Sequence, residues 1–314
     1  MKAVSLGKLI APYGMRIMSF IWVSVISLIS FPLFGQNKFI PPDPFTDWDG
    51  KTHKSRYLIT SAGYMGPNAL PVPYLHKGFV PVNLSWNGRY EYIIGKGNQT
   101  QDFYTDFVIP IGNRVGLELS YTPIEFFSMD DATSRRWRTF DGLPANGQSL
   151  GDIYFGTMFQ LVRDHRVIPD VTFSMACRTA SGTGREFARH TDTPGYHLDL
   201  SLGDSYGKRE GFFQYLRWYA ETGFLVWQTY LDDYPQNDAW LYGFGLDLEF
   251  RDFYLHQSFR GYTGYMKNGD TPQVYLAELG IRIGSAAMVF GFQQGLRDYP
   301  FQSFRAGISL NGLK

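Results

Sequence analysis

The sequence predicts an all-β protein: a transmembrane antiparallel β-barrel of about twelve strands behind an N-terminal signal peptide. Three observations carry this. From Gly78 to the C-terminus the chain alternates apolar and polar residues with period two. The connections between the alternating runs are by turns short and longer. The apolar side of each run is free of charge, and Tyr and Trp gather near the run ends.

Composition narrows the field first. The 314 residues hold 29 Lys and Arg against 29 Asp and Glu. Residues 1–35 carry Lys2, Lys8 and Arg16 and no acid, so their removal leaves 26 bases against 29 acids. A nucleic-acid binder held by phosphate neutralisation shows a basic excess, and none is present. Aromatic residues reach 17% while charged residues fall to 18%, below the usual quarter or so of soluble chains. That balance argues against disorder. The single Cys177 excludes an intramolecular disulfide and a Cys-rich zinc site.

The one stretch with the hydropathy of an apolar helix runs from Ile17 to Phe34, preceded by Arg16 and followed by Gly35 and polar Gln36-Asn37. A positive start, an apolar run and a small residue before a polar one describe a secretory signal peptide. Translation from Met15 would give an equally good start, and an uncleaved anchor is the alternative. Residues 36–77 are rich in proline and tight turns, as in Pro41-Pro42-Asp43-Pro44, Gly66-Pro67-Asn68 and Pro71-Val72-Pro73. They read as an extension with little core of its own, periplasmic or lumenal.

The barrel is assigned to 78–314. Its apolar face begins Leu84, Trp86, Gly88, Tyr90, Tyr92, Ile94 and continues Phe103, Thr105, Phe107, Ile109. Runs starting at Val115, Ile153, Val171, Tyr196, Leu216, Trp240, Phe253, Tyr275, Ala286 and Phe304 complete twelve. Connections at 110–113, 163–168, 203–211, 251–252 and 284–285 form one set. The other holds 128–149, 182–194, 228–238 and 266–271, with 95–100 and 297–301 as its short members. Short periplasmic turns, longer external loops and an even strand count are the pattern of outer-membrane barrels. A soluble β-sandwich also alternates, but several of these runs exceed the usual globular strand length.

The opposite face carries ten acids and six bases, and every base is Arg. Arg keeps its charge and binds carboxylates through a planar fork, which suits partly desolvated ion-pair networks. Asp152, Arg178, Arg217, Glu221, Asp247, Glu249, Arg260, Glu278 and Arg282 are therefore assigned to the lumen. There they either line a pore or brace it as a ladder of salt bridges. Glu221 is expected to pair with Arg217 or an Arg on a neighbouring strand, and Phe224 to face lipid.

No catalytic constellation stands out. The six histidines form no two-histidine motif at metal spacing on a helix, and no cofactor or metal is assigned. His197, Ser201 and Asp204 form a chance neighbourhood of triad residue types. Asp130-Asp131 with His190 reads as solvated loop. Cys177 reads as a small apolar group.

Gly151-Asp152 with Gly156, Pro169-Asp170-Val171 and Arg178-Thr179-Ala180-Ser181-Gly182 resemble a porin-like outer-membrane family named for a phenol-degradation meta-pathway. Ala180 stands where that pattern has Pro. The resemblance spans roughly 35 residues of the chain and implies a barrel of about twelve strands with a transport role. The ending Phe34-Gly35-Gln36 resembles signal peptides of the Bacteroidota.

The sequence thus points to an outer-membrane barrel passing small solutes, with membrane lipid as its constant partner. A second reading is a non-conducting anchor that presents the loop 128–149, with Arg135, Arg136, Trp137 and Arg138, to a protein partner. An outer-membrane hydrolase is a distant third.

Overall fold

Residues 42–139, 145–207 and 211–313 are described in the computed structural model of the chain. The signal-peptide assignment, 1–35, lies outside them. Thirteen strands follow in order: β1 Leu84–Gly95, β2 Asn98–Ile111, β3 Val115–Met129, β4 Ala145–Ser149, β5 Tyr154–Val162, β6 Asp170–Arg178 and β7 Gly195–Tyr206, then β8 Phe213–Gln228, β9 Gln236–Phe250, β10 Phe253–Gly264, β11 Gln273–Ile283, β12 Ala286–Arg297 and β13 Phe301–Leu313. Each pairs antiparallel with its neighbours, and β1 pairs with both β2 and β13. The sheet closes on itself.

Twelve wall positions account for the thirteen strands, because β4 and β5 share one. Residues 115–120 of β3 pair with β5, and its residues 125–129 pair with β4. The expected loop 128–149 is thus shorter than the sequence suggested, since its last five residues extend the wall. Residues 78–83, assigned to the barrel, precede the first strand.

Closure satisfies the physical demand that lipid makes. A backbone N–H or C=O facing hydrocarbon has no water to bond, so only helices and edgeless barrels cross a bilayer. Among the described residues no helix is long and apolar enough to do so. The outward face is apolar as the alternation requires: Phe103 is 49% and Phe155 52% exposed, with Leu119, Phe224, Phe244, Ile281, Phe290 and Ile308 alongside. Aromatic side chains on this face settle their polar tips on the adjacent strand. Trp86 Nε1 donates to Thr105 Oγ1 at 2.8 Å, Trp240 Nε1 to Thr222 Oγ1 at 2.9 Å and Tyr275 OH to Gln257 Oε1 at 2.9 Å. Amphipathic rings of this kind belong at the membrane interface.

One bulge changes what the wall presents. Phe103 pairs with Ile124 but Thr105 pairs with Tyr121, so β3 carries one extra residue. Leu117, Leu119 and Tyr121 face outward, yet beyond the bulge Glu125, Phe127 and Met129 are buried inward. A strict period-two reading would have sent Glu125 into lipid.

The interior is divided along its length. At the end with the longer loops lies an apolar cluster that includes Leu58, Met65, Leu70, Ile93, Phe127, Trp137, Trp227, Leu241, Tyr262 and Phe301. Trp137 is wholly buried, its ring edge-on to Phe301 at 6.2 Å. It belongs to the core and is not part of a loop surface offered to a partner. It follows a short helix, α1 Asp131–Arg136, whose N-cap Asp130 accepts a hydrogen bond from the backbone of Thr133. Toward the short-turn end the apolar cluster gives way to charge. The sequence treated the whole inner face as polar, whereas its loop end mixes this apolar cluster with a few buried charges such as Glu125 and Arg189.

The two faces of β8 make a direct test of the wall. Phe224 is outward, 44% exposed. Phe224→Arg puts a guanidinium in hydrocarbon and should lower stability by about 2–4 kcal/mol near the midplane. Folding into bilayers under a urea gradient measures it, and parent-like folding would mean that β8 is inverted.

Candidate functional site: a strap through the lumen

An extended chain placed inside a barrel brings with it one donor and one acceptor per residue, and each needs a partner. Along the lumen, several backbone groups of residues 66–82 find such partners. Prolines at 67, 71 and 73 have no N–H to satisfy. The carbonyls of Pro67, Ala69 and Leu70 accept from Tyr299 OH at 3.4 Å, Arg178 Nη1 at 2.7 Å and Tyr262 OH at 3.1 Å. Lower down, His76 N donates to Glu221 Oε2 at 2.7 Å, and Lys77 O accepts from Arg217 Nε at 3.0 Å and Nη2 at 2.7 Å. Gln160 grips both ways, donating to Gly78 O at 2.9 Å and accepting from Val80 N at 2.8 Å. These partners lie on β5, β6, β8 and β10, with Tyr299 in the turn between β12 and β13. Residues 42–83 therefore form a strap that starts among the long loops, passes down the interior and joins β1 at the short-turn end.

The strap is close enough to select glycine. Gly78 has φ +78°, and a Cβ there would lie 2.6 Å from Gly203 N on β7. On β9, a Cβ at Gly243 would meet the Leu75 side chain at 2.4 Å. The strap and the wall are fitted to each other at both positions.

Three charged clusters hold the strap. The first surrounds Tyr74. Its ring lies 3.9 Å from the Arg260 guanidinium and 4.9 Å from that of Arg89, and its hydroxyl accepts from Arg89 and, at 2.7 Å, from Arg305 Nη1. Cation–π contacts of this desolvated kind are worth up to about 2 kcal/mol each. Glu91 neutralises the arginines, at 2.5 Å from Arg89 Nε and 3.2 Å from Arg305 Nη2, with Glu278 3.7 Å from Arg305 Nη1.

The second cluster surrounds His76 and Lys77. His76 Nδ1 is 2.9 Å from Asp199 Oδ1 and 3.3 Å from Glu221 Oε2, and Nε2 is 3.1 Å from Glu118 Oε2. Lys77 Nζ donates to Asp247 Oδ2 at 2.6 Å, and Asp247 Oδ1 accepts from Tyr219 OH at 3.0 Å. The third lies near the loop end. Arg189, wholly buried, donates to Glu125 Oε1 at 2.6 Å and Thr100 Oγ1 at 2.8 Å, and Asn68 of the strap donates to Glu125 Oε2 at 2.6 Å and Asp102 Oδ2 at 2.7 Å.

All nine residues assigned from sequence to the lumen face inward. Arg178, Arg217, Glu221, Asp247 and Arg260 touch the strap directly. Asp152 sits 3.9 Å from Arg178 Nε, Glu278 faces Arg305, and Glu249 pairs with Arg282 and, at 3.2 Å, with His256. The pairing expected for Glu221 is corrected: its partner is His76 of the strap, because Arg217 turns to Lys77 O and, at 3.0 Å, to Asp170. Sequence reading missed Tyr74, His76 and Lys77, although the run Pro73-Tyr74-Leu75-His76-Lys77 is rich in chemistry for a linker. It also missed Arg189 and Glu125, for which no local signal exists.

The candidate catalytic neighbourhoods do not assemble. Ser201 Oγ shares a hydrogen bond with Thr172 Oγ1 at 2.6 Å, while His197 lies 3.7 Å from Asp199. Asp130 caps α1, and His190 is buried elsewhere, 4.0 Å from Asp152. Cys177 is on the outer face and exposed there.

The chain is a closed transmembrane β-barrel whose lumen holds its own N-terminal strap. No family model and no curated protein matches it. Among solved structures it is similar to the NanC porin, with 10% identity over 72% of this chain and 98% of that one and a TM-score of 0.46. It is also similar to the KdgM porin in complex with disordered oligogalacturonate, at 9% identity over 72% and 98% with a TM-score of 0.44. The translocator domain of the autotransporter NalP from Neisseria meningitidis gives 9% identity over 73% and 88% with a TM-score of 0.38. The architecture of the chain is defined by its own strand pairing.

Two outcomes test the loop-end packing. Arg189→Met would leave the buried Glu125 carboxylate without its cation, a change that costs about 3–5 kcal/mol. A parent-like urea midpoint would contradict that. His190 lies in the loop between β6 and β7, its ring nitrogens buried without hydrogen-bond partners, and burial holds its pKa below the ordinary histidine value. The unfolded chain takes up that proton as the pH falls through about 6.5, while the folded chain resists. The stability of the parent relative to His190→Asn should therefore fall from pH 7 toward 5. Thermal unfolding of the two proteins across that range compares them, and equal slopes would remove His190 from the explanation.

Proposed function

We propose that the protein is an outer-membrane channel for small solutes that its own N-terminal strap keeps closed. The observation that carries this is the kind of contact between residues 66–80 and the wall. These are chiefly hydrogen bonds and ion pairs to strap backbone and to Tyr74, His76 and Lys77. Water can take over such contacts at moderate cost, since a hydrogen bond between protein groups is worth only about 0.5–1.5 kcal/mol net. A strap held in this way can leave, and the path it uncovers would be lined by Asp152, Arg178, Arg217, Glu221, Asp247, Glu249, Arg260, Glu278 and Arg282. The resemblance to the porin-like meta-pathway family carries the same implication of transport.

A second reading has one observation in its favour. The apolar cluster around Trp137, Trp227, Tyr262 and Phe301 seals the loop end, and burial of large aromatic side chains is expensive to reverse. Under that reading the barrel anchors an assembly or presents its loops to a partner and conducts nothing.

Planar-bilayer recordings separate the two. The intact protein should be silent or open rarely, as a twelve-stranded barrel with a filled lumen would be. Deletion of 42–77, with closure checked by migration before and after boiling, should give small channels that favour cations, because acids outnumber bases on the inner face. Silence of both forms would favour the anchoring reading.

A further inference from the structure

We propose that His76, Asp199 and Glu221 form a binding site for a divalent transition cation of the zinc class, which fastens the strap to β7 and β8. The site stands whether or not the barrel conducts.

The argument starts from charge. Glu118, Asp199 and Glu221 come from three strands and converge on one imidazole. Among the described residues no Lys or Arg pairs with any of the three. Lys77, the next strap residue, is turned to Asp247, and Arg217 to Asp170. His197 is the other neutralising candidate, and it lies 3.7 Å from Asp199 Oδ2. Even a protonated His76 leaves this pocket with an excess of buried negative charge, which is costly where carboxylates cannot be hydrated.

Hydrogen bonding leaves the same surplus. The single hydrogen on Nδ1 goes to Asp199 Oδ1, and Glu221 Oε2 accepts from the backbone N–H of His76, so each carboxylate receives one donor from this residue. The second oxygens of both groups, Asp199 Oδ2 and Glu221 Oε1, are buried with no hydrogen-bond donor. The Asp199 and Glu221 side chains are 0% and 1% exposed. A carboxylate spreads its charge over both oxygens, so a cation held through Asp199 Oδ1 and Glu221 Oε2 would offset the charge left uncompensated on these partner oxygens.

Geometry and donor type specify the ion. One ligand atom from each of His76, Asp199 and Glu221 lies within 4.8 Å of the others. Zinc–ligand bonds of about 2.0–2.2 Å place tetrahedral ligand atoms about 3.3–3.6 Å apart, so the 3.3 Å from Nδ1 to Glu221 fits and the 2.9 Å to Asp199 needs a small opening. One imidazole with carboxylates selects zinc and its neighbours over calcium and magnesium, which take oxygen alone. A ligating histidine donates its other N–H to a carboxylate, which fixes the tautomer. Glu118 at Nε2 is placed for that role. The similar group Asp247, Glu249 and His256 lacks the surplus, because Lys77 and Arg282 already neutralise it.

The test uses the refolded full-length protein, stripped with chelator and titrated with Zn2+ by calorimetry and with Co2+ by visible absorption. One equivalent should bind, with Co2+ bands of low-coordinate nitrogen and oxygen ligation. Asp199→Asn combined with Glu221→Gln should abolish binding; this variant relieves the charge surplus, and boiling-dependent migration verifies that it folds. Glu118→Gln should retain the site but weaken it about 10–100-fold. His256→Gln should bind like the parent. No stoichiometric binding by the folded parent would overturn the proposal, as would binding that survives the double variant or is lost with His256.

Discussion

The structure depends on the satisfaction of an extended backbone inside a closed wall. A barrel removes every strand edge, so nothing in the wall's own ladder is left to pair with a peptide in the lumen. Among the loops the strap still finds backbone partners, Gly63 N donating to Gly269 O and Gly66 N to Ala188 O, but below them it is bonded through side chains, and inward-facing Arg178, Arg217, Gln160, Glu221, Tyr262 and Tyr299 supply those bonds. The choice of Arg over Lys on the inner face follows from this. A guanidinium can donate to a carbonyl with some of its N–H groups and pair with a carboxylate through the others, as Arg217 does with Lys77 O and Asp170.

The change along the lumen from a loop end rich in apolar side chains to a charged lower part gives the strap two kinds of hold. Near the loops, Leu58, Met65 and Leu70 pack among aromatic side chains that exclude water. That burial is strong and insensitive to salt. Further down, Tyr74, His76 and Lys77 are held by charges whose balance depends on protonation, ions and water access. Under the proposed channel function, this asymmetry would let the lower part of the strap leave while its upper part stays seated.

Much of the wall was legible from the sequence because side-chain direction in a strand is a local property with period two. The outward placement of Phe103, Phe155, Phe224 and Phe290 and the inward placement of the assigned charged residues that lie on strands follow from that period. It failed where the period breaks. The extra residue in β3 turns Glu125 inward, and the gap between β4 and β5 splits one wall position in two. Trp137 read as loop surface because its burial comes from Phe301, far along the chain and unrelated to it by any local pattern.

The sequence by itself determined the alternation, the loop parity, the charge-free outer face and the Arg-rich inner one, all of which are written in neighbouring residues. Only the tertiary structure decided what fills the lumen. Tyr74 meets Arg305 across 231 residues and His76 meets Glu221 across 145, and a proline-rich segment bears no mark of such partners. Its prolines fix an extended path and remove donors, which suits a linker in solvent and a strap in a lumen equally well. The difference lies in the wall that surrounds it, and that wall exists only once the twelfth position has closed on the first.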